Sequence, residues 1–151
     1  MFEYLFTGIE ATDVALLLNR TALGTAFMLS GFHKTFVAHR HAALIETLEY
    51  AKVPMPRYTC WLVCLTEFFA GLGLIVGLMS TLAALGLLAI SVVAFVTVER
   101  FSIAAMKPED VLDWIDDLFW VPAVMFGLLA LVVIFAGPGA YSLDAVILTL
   151  L

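Results

Sequence analysis

Residues 13–34 read DVALLLNRTALGTAFMLSGFHK, an apolar run long enough to cross a bilayer with an arginine, Arg20, well inside it. A permanent charge in hydrocarbon costs at least about 2.5 to 3.5 kcal/mol at mid-membrane unless it finds compensation, so Arg20 must meet partners inside the protein or at an interface. On a helical wheel Gly24, Phe27, Gly31 and Lys34 fall within about 40° of it, so one face carries the charge and two glycines.

The rest of the chain is of the same kind. Of 151 residues 64% are hydrophobic and only 13% charged, and the mean hydropathy is +1.09, far from the balance of a soluble domain. This composition describes an integral membrane protein. At about 20 apolar residues per crossing, the length allows roughly four helices with short joints and leaves no room for a soluble catalytic domain.

Four apolar runs supply the candidate spans, about 14–32, 59–78, 81–98 and 120–136. Only MST separates the second from the third, which demands a tight antiparallel hairpin. The expected fold is all-α, one transmembrane domain over 1–151, built as a four-helix antiparallel bundle. Joint one holds a polar stretch in which 42–50 suits a short helix, stopped by Pro54 and Pro56. Joint three, MKPEDVLDWIDDLF, suits an amphipathic interfacial helix over 108–119, with Val111, Leu112, Ile115, Leu118 and Phe119 on one face and acids on the other. The first residues carry Glu3, Glu10 and Asp13 but no Lys or Arg, unlike a cleavable signal, so the first span is expected to remain.

Basic residues set the expected orientation. Lys34, Arg40, Lys52 and Arg57 lie in joint one and Arg100 and Lys107 in joint three, which the positive-inside rule places in the cytoplasm with both termini outside. The membrane expected is the bacterial cytoplasmic (inner) membrane.

In the second span Cys60, Cys64, Glu67 and Gly71 share a face. With about 1.5 Å of rise per residue, Arg20 and Glu67 on antiparallel neighbours differ in depth by under about 10 Å, so an Arg20–Glu67 pair inside the bundle is expected. Such a pair serves either as a latch fixing register or as the lining of a site for a quinone, a proton or a small polar substrate. Snorkelling of Arg20 to the headgroups is the third option. Lys34 and His33, at the end of the same span, are candidate supporting or ligand-contacting residues.

The remaining constellations read as structural. His33, His39 and His41 suit a solvated or interfacial loop, and Cys60 and Cys64, one helical turn apart, suit packed thiols, so no metal site is expected. Spans two to four contain no histidine to complete a bis-histidine haem. There is no nucleotide loop and no catalytic triad, so catalysis by this chain alone is not expected. A net charge of −6 argues against nucleic acid. Asp113, Asp116 and Asp117 are candidates for docking a basic partner surface, since an anionic leaflet would repel them.

The LNRTALGTAFMLSGFHK stretch with its R-x-x-x-G and G-x-x-K spacing, the TEFFAGLGLIVGLMSTLAAL hairpin and the terminal GPGAYSLDAVI together resemble the DoxX family of small four-helix membrane proteins. Arg20 and Glu67 fall where family members usually carry these residues, and Gly137, Pro138, Gly139, Tyr141, Ser142 and Asp144 form the C-terminal motif of the resemblance. Ala140 stands where the family often has a basic residue. Some members resemble the small membrane subunit of a thiosulfate:quinone oxidoreductase or partner with redox enzymes. The resemblance therefore implies a membrane subunit of a redox or respiratory complex, with quinone as the candidate cofactor and lipid, a redox subunit or further copies of the chain as partners. The alternatives are a non-catalytic anchor or assembly subunit and, lower, an oligomeric transporter.

The motif also has a local reading: its glycines and Pro138 end the fourth span, Ser142 caps a following helix and Tyr141 sits at headgroup level.

Overall fold

The computed structural model describes residues 11–150, all of whose regular elements are helical. The expectation for the N-terminal tail falls mostly on residues 1–10, outside the described residues. Seven helices follow in order: α1 Thr12–Phe36, α2 Ala38–Tyr50, α3 Pro56–Val76, α4 Ser80–Met106 with a π-helical stretch at Phe95–Glu99, α5 Val111–Trp120, α6 Pro122–Ala136 and α7 Leu143–Leu150. Among the described residues α1, α3 and α4 are each long and apolar enough to cross a membrane; α5 and α6 pass that test only together and are bent by 70° at Val121.

The boundaries differ from expectation where local chemistry outbids hydropathy. Span three continues past 98 to Met106 because the π stretch keeps the backbone hydrogen-bonded through Glu99 and Arg100. The amphipathic helix begins at Val111 rather than at 108, because the Asp110 carboxylate accepts from the N–H groups of Leu112 (2.8 Å) and Asp113 (2.9 Å) and nucleates it there. The last apolar helix begins at Pro122, a residue suited to a first turn, after the extended Val121.

Lipid offers no hydrophobic reward for bringing helices together, so close packing and polar contacts must do it. Along α1 and α3 the glycines supply the close approach. A Cβ added at Gly71 would lie 2.5 Å from Met28 N and 2.6 Å from Gly24 O, and one at Gly31 2.5 Å from Phe68 N. The two backbones thus touch along Gly24, Gly31 and Gly71. A second seam joins α4 to α6 through Ala84, Leu87, Ala130 and Val133, and Leu23, Phe27 and Leu74 join it to the first. A smaller cluster of Leu48, Cys60 and Cys64 fastens α2 to α3. The outward faces carry exposed Leu18, Phe69, Leu82 and Phe135, as a lipid-facing surface would.

The glycine seam has a measurable consequence. Gly71→Ala should destabilise the folded protein in detergent by about 1 to 3 kcal/mol through forced separation of two backbones, whereas Gly86→Ala, whose added Cβ would meet only Thr66 Cγ2 at 3.5 Å, should be near neutral. Thermal unfolding of both variants, followed by loss of the monodisperse peak, checks this; equal midpoints would show that the seam tolerates a methyl group.

Candidate functional site

The buried charges sort into two layers, and the expected Arg20–Glu67 pair is in neither. Arg20, 1% exposed, donates from Nη1 to the carbonyl oxygens of Leu74 (2.7 Å) and Ile75 (3.1 Å) and from Nη2 to that of Tyr141. Leu74 and Ile75 lie in the last turn of α3, whose carbonyls have no helical partner and carry the negative end of the helix dipole. The guanidinium, with its fork of five donors, satisfies those carbonyls where a lone carboxylate could not.

The terminal motif completes this layer. Gly77, left-handed at φ 77°, ends α3, and its carbonyl accepts from Asp144 N at 2.8 Å. The Asp144 carboxylate accepts from Met79 N (2.7 Å) and Ser80 N (2.8 Å), capping α4 across a sequence separation of about 65 residues. Ser142 Oγ accepts from Ala145 N and donates to Gly139 O, and Asp13 Oδ1 accepts from Ala140 N at 2.8 Å, in place of any contact from a basic side chain there. Gly137 and Gly139, both at positive φ (81° and 77°), turn the chain with Pro138 between them. Tyr141 offers its carbonyl to Arg20 while its side chain is exposed. A cation thus closes one helix end of the α3–α4 hairpin and an anion opens the next.

The second layer is centred on Lys34. Its Nζ donates to both oxygens of Glu67, at 2.7 and 2.8 Å, and Glu67 is 3% exposed. Two cavities border both residues of this pair and a third borders Lys34 alone. An apolar one of about 430 Å³ runs between α2, α3 and α4 along Leu62, Val63, Ile90 and Val93 and ends on Lys34 and Glu67. A small one of about 140 Å³ brings Ser30, Ser91 and Glu99 to the other side of the pair. There the Ser91 hydroxyl is buried without a hydrogen-bond partner among the described residues. The third, about 280 Å³, is bordered by His33, Lys34 and Arg40. His33 is itself exposed. Glu99, on the π stretch, accepts from Ala123 N at 3.0 Å and so caps α6.

Hydropathy and wheel geometry missed Glu99 because a π turn rotates the positions that follow it. They missed the Lys34–Glu67 pairing because Lys34 looked like an end-of-span cation. Its G-x-x-K spacing held the signal, since Gly31 lets α3 approach one turn away. Asp113, Asp116 and Asp117 are not part of either layer: Asp113 Oδ2 accepts from Glu109 N in the capping turn, Asp113 and Asp116 are exposed, and Asp117 is half-buried.

Asp144 lies outside the candidate spans. Burial pushes its carboxyl up, but the hydrogen bonds from Ser80 and Met79 and the charge of Arg20 outweigh burial and hold it below the ordinary value of 3.8. A carboxyl lowered on folding adds stability above its unfolded value and loses it as pH falls through the folded one. Thermal stability in detergent should therefore drop as pH is taken below 3.8. Asp144→Ala should cost about 1 kcal/mol at neutral pH as a lost cap and should remove that part of the acid sensitivity. An unchanged acid profile in Asp144→Ala would show that the cap carries no linkage.

No curated protein and no solved structure gives a significant match to the chain. Residues 15–100, more than half the sequence and the part that holds both Arg20 and the Lys34–Glu67 pair, match the model of the DoxX family, and the chain belongs to the DoxX family.

Proposed function

We propose that this protein is a small membrane subunit of a redox or respiratory complex and that it holds the head group of a membrane quinone at Lys34 and Glu67. The observation that carries this reading is the apolar cavity of about 430 Å³ bordered by an ion pair whose carboxylate is buried and whose ammonium is half-buried. Sites for amphipathic small molecules combine an apolar wall with a few convergent polar groups. The isoprenoid tail lies along Leu62, Val63, Ile90 and Val93. The Lys34 ammonium donates to a quinone carbonyl, and the Glu67 carboxylate accepts from the hydroxyl of the reduced form. Electrons come from a partner redox subunit, as the chain carries no electron carrier in this reading. The pair's burial has a second explanation, a latch between α1 and α3 with no ligand, and the non-catalytic anchor is the reading that follows from it.

In this reading α5 and α6 cross together as one bent span, giving a four-helix antiparallel bundle, and joints one and three face the cytoplasm of a bacterial inner membrane. The supports are the basic residues of those joints, Lys52 and Arg57 in the first and Lys107 in the third. The exposed acids of α5 face a basic surface of the partner subunit.

The ligand test uses purified protein in mild detergent. Wild type should carry extractable quinone or take up an added short-chain quinone. Lys34→Met with Glu67→Leu should retain folded yield, because neither charge is stranded, and should lose at least about 90% of uptake, a tenfold or about 1.4 kcal/mol effect. Equal uptake by the double variant, or none by wild type, rejects the quinone site and leaves the latch.

Orientation has its own readout. In intact cells Lys52 should resist a membrane-impermeant amine reagent and become reactive once the membrane is opened. Modification of Lys52 from outside would reverse the bundle.

A further inference from the structure

We propose that His41, Cys60 and Cys64 form a trigonal site for monovalent copper between α2 and α3. Their ligand atoms, one imidazole nitrogen and two sulfurs, all lie within 4.8 Å of one another. Both ring nitrogens of His41 are 3.7 Å from Cys60 Sγ. An ion bound at about 2.3 Å from sulfur and about 2.0 Å from nitrogen spreads those donors by roughly 3.5 to 3.8 Å, so the distance fits an edge of a coordination polyhedron.

The surroundings select which nitrogen binds. Nδ1 of His41 is 2.9 Å from the carbonyl oxygen of Lys34, which fixes the proton on Nδ1 and leaves the Nε2 lone pair free, as an outer partner does for metal-bound histidines. The ring also packs against Trp61 with centroids 4.8 Å apart, so its orientation is held from a second side. Cys60 and Cys64 are free thiols on one turn of α3, where their sulfurs converge without the helix distortion that a disulfide would impose.

The donor set selects the ion. Two thiolates and one imidazole are soft ligands that favour monovalent copper, zinc or iron–sulfur clusters. Both cysteines are 0% exposed, and among the described residues no fourth His, Cys, Asp or Glu joins the cluster. Structural zinc takes four ligands, one more than this set of side chains supplies, and catalytic zinc needs a fourth position open to water, whereas both sulfurs here are fully buried. Monovalent copper is satisfied by three donors. Binding releases the two thiol protons to water and forms two copper–sulfur bonds and one copper–nitrogen bond, with no change of oxidation state. Half-buried His41 lies on the route in.

This site does not depend on the quinone reading, and its test needs no activity. The full chain in detergent, reduced and kept anaerobic, is titrated against the coloured copper(I)–bicinchoninate complex. Wild type should withdraw one copper per chain, and X-ray absorption of the product should show two sulfur neighbours and one nitrogen. His41→Ala, a half-buried position whose loss leaves the thiol pair in place, should weaken copper at least about tenfold, and Cys64→Ser should do so as well. The absorption spectrum of wild type decides the matter even where a cysteine variant fails to fold. Failure to compete with the chelator, a spectrum without sulfur neighbours, unaltered withdrawal by folded His41→Ala, or preference for zinc(II) over copper(I) would each overturn the proposal.

Discussion

The fold depends on how a guanidinium is accommodated at the end of an apolar helix. α3 must stop so that the chain can return as α4, and stopping leaves carbonyls that the helix itself cannot satisfy. Arg20 reaches from α1 to two of them, those of Leu74 and Ile75, and ties in the Tyr141 carbonyl as well. Asp144 treats the opposite problem, the free N–H groups that start α4. The cation meets the negative end of one helix dipole and the anion the positive end of the next, so the hairpin is closed by charges of the correct sign at both ends. The segment after α6 is fastened to the hairpin and, through Asp13, to the start of α1. The close backbone approach at Gly24 and Gly71 is what brings Arg20 within reach.

With Arg20 and Asp144 consumed by helix ends, the Lys34–Glu67 pair is free of that duty. Lys34 and Glu67 bind no helix terminus, and their partners are each other. Two cavities border both of them and a third borders Lys34, beside a Ser91 hydroxyl that has no hydrogen-bond partner among the described residues. A latch needs only a tight pair. Open volume on several sides of such a pair is a feature that a ligand site requires and a latch does not.

Much of this was legible in the sequence, and the errors have physical causes. Composition and run lengths gave the all-helical membrane class, and the MST joint gave the hairpin, which turns through Gly77, Leu78 and Met79. The wheel placed Arg20, Gly24, Gly31 and Lys34 on one face, and that face packs on α3. The partner of Arg20 was misread because counting charges pairs an arginine with an acid, while the helix-end carbonyls, which every sequence has and no composition displays, compete for the same donors. Depth alone allowed Glu67 within reach; it did not show that Lys34 was closer. His41 escaped notice beside the cysteines because about 20 residues separate them and its segment reads as a loop until α2 folds back on α3.

The π stretch at Phe95–Glu99 borders the two cavities that reach both Lys34 and Glu67. Inserting a wider turn shifts the residues after it around the helix axis, so Glu99 comes to face the start of α6 instead of continuing the lipid-facing stripe of α4. There its carboxylate supplies the cap that Val121 cannot, at a point where the chain bends by 70° and no local side chain accepts from the first turn. With α6 anchored at Glu99, Ala94 and Thr97 border the large cavity rather than filling it. A regular α-helix through this region would turn Glu99 to another face and take this acceptor away from the first turn of α6. The wider turn, the bend and the cavity are therefore consequences of one local choice of hydrogen bonding. That choice exchanges close packing for space next to the Lys34–Glu67 pair.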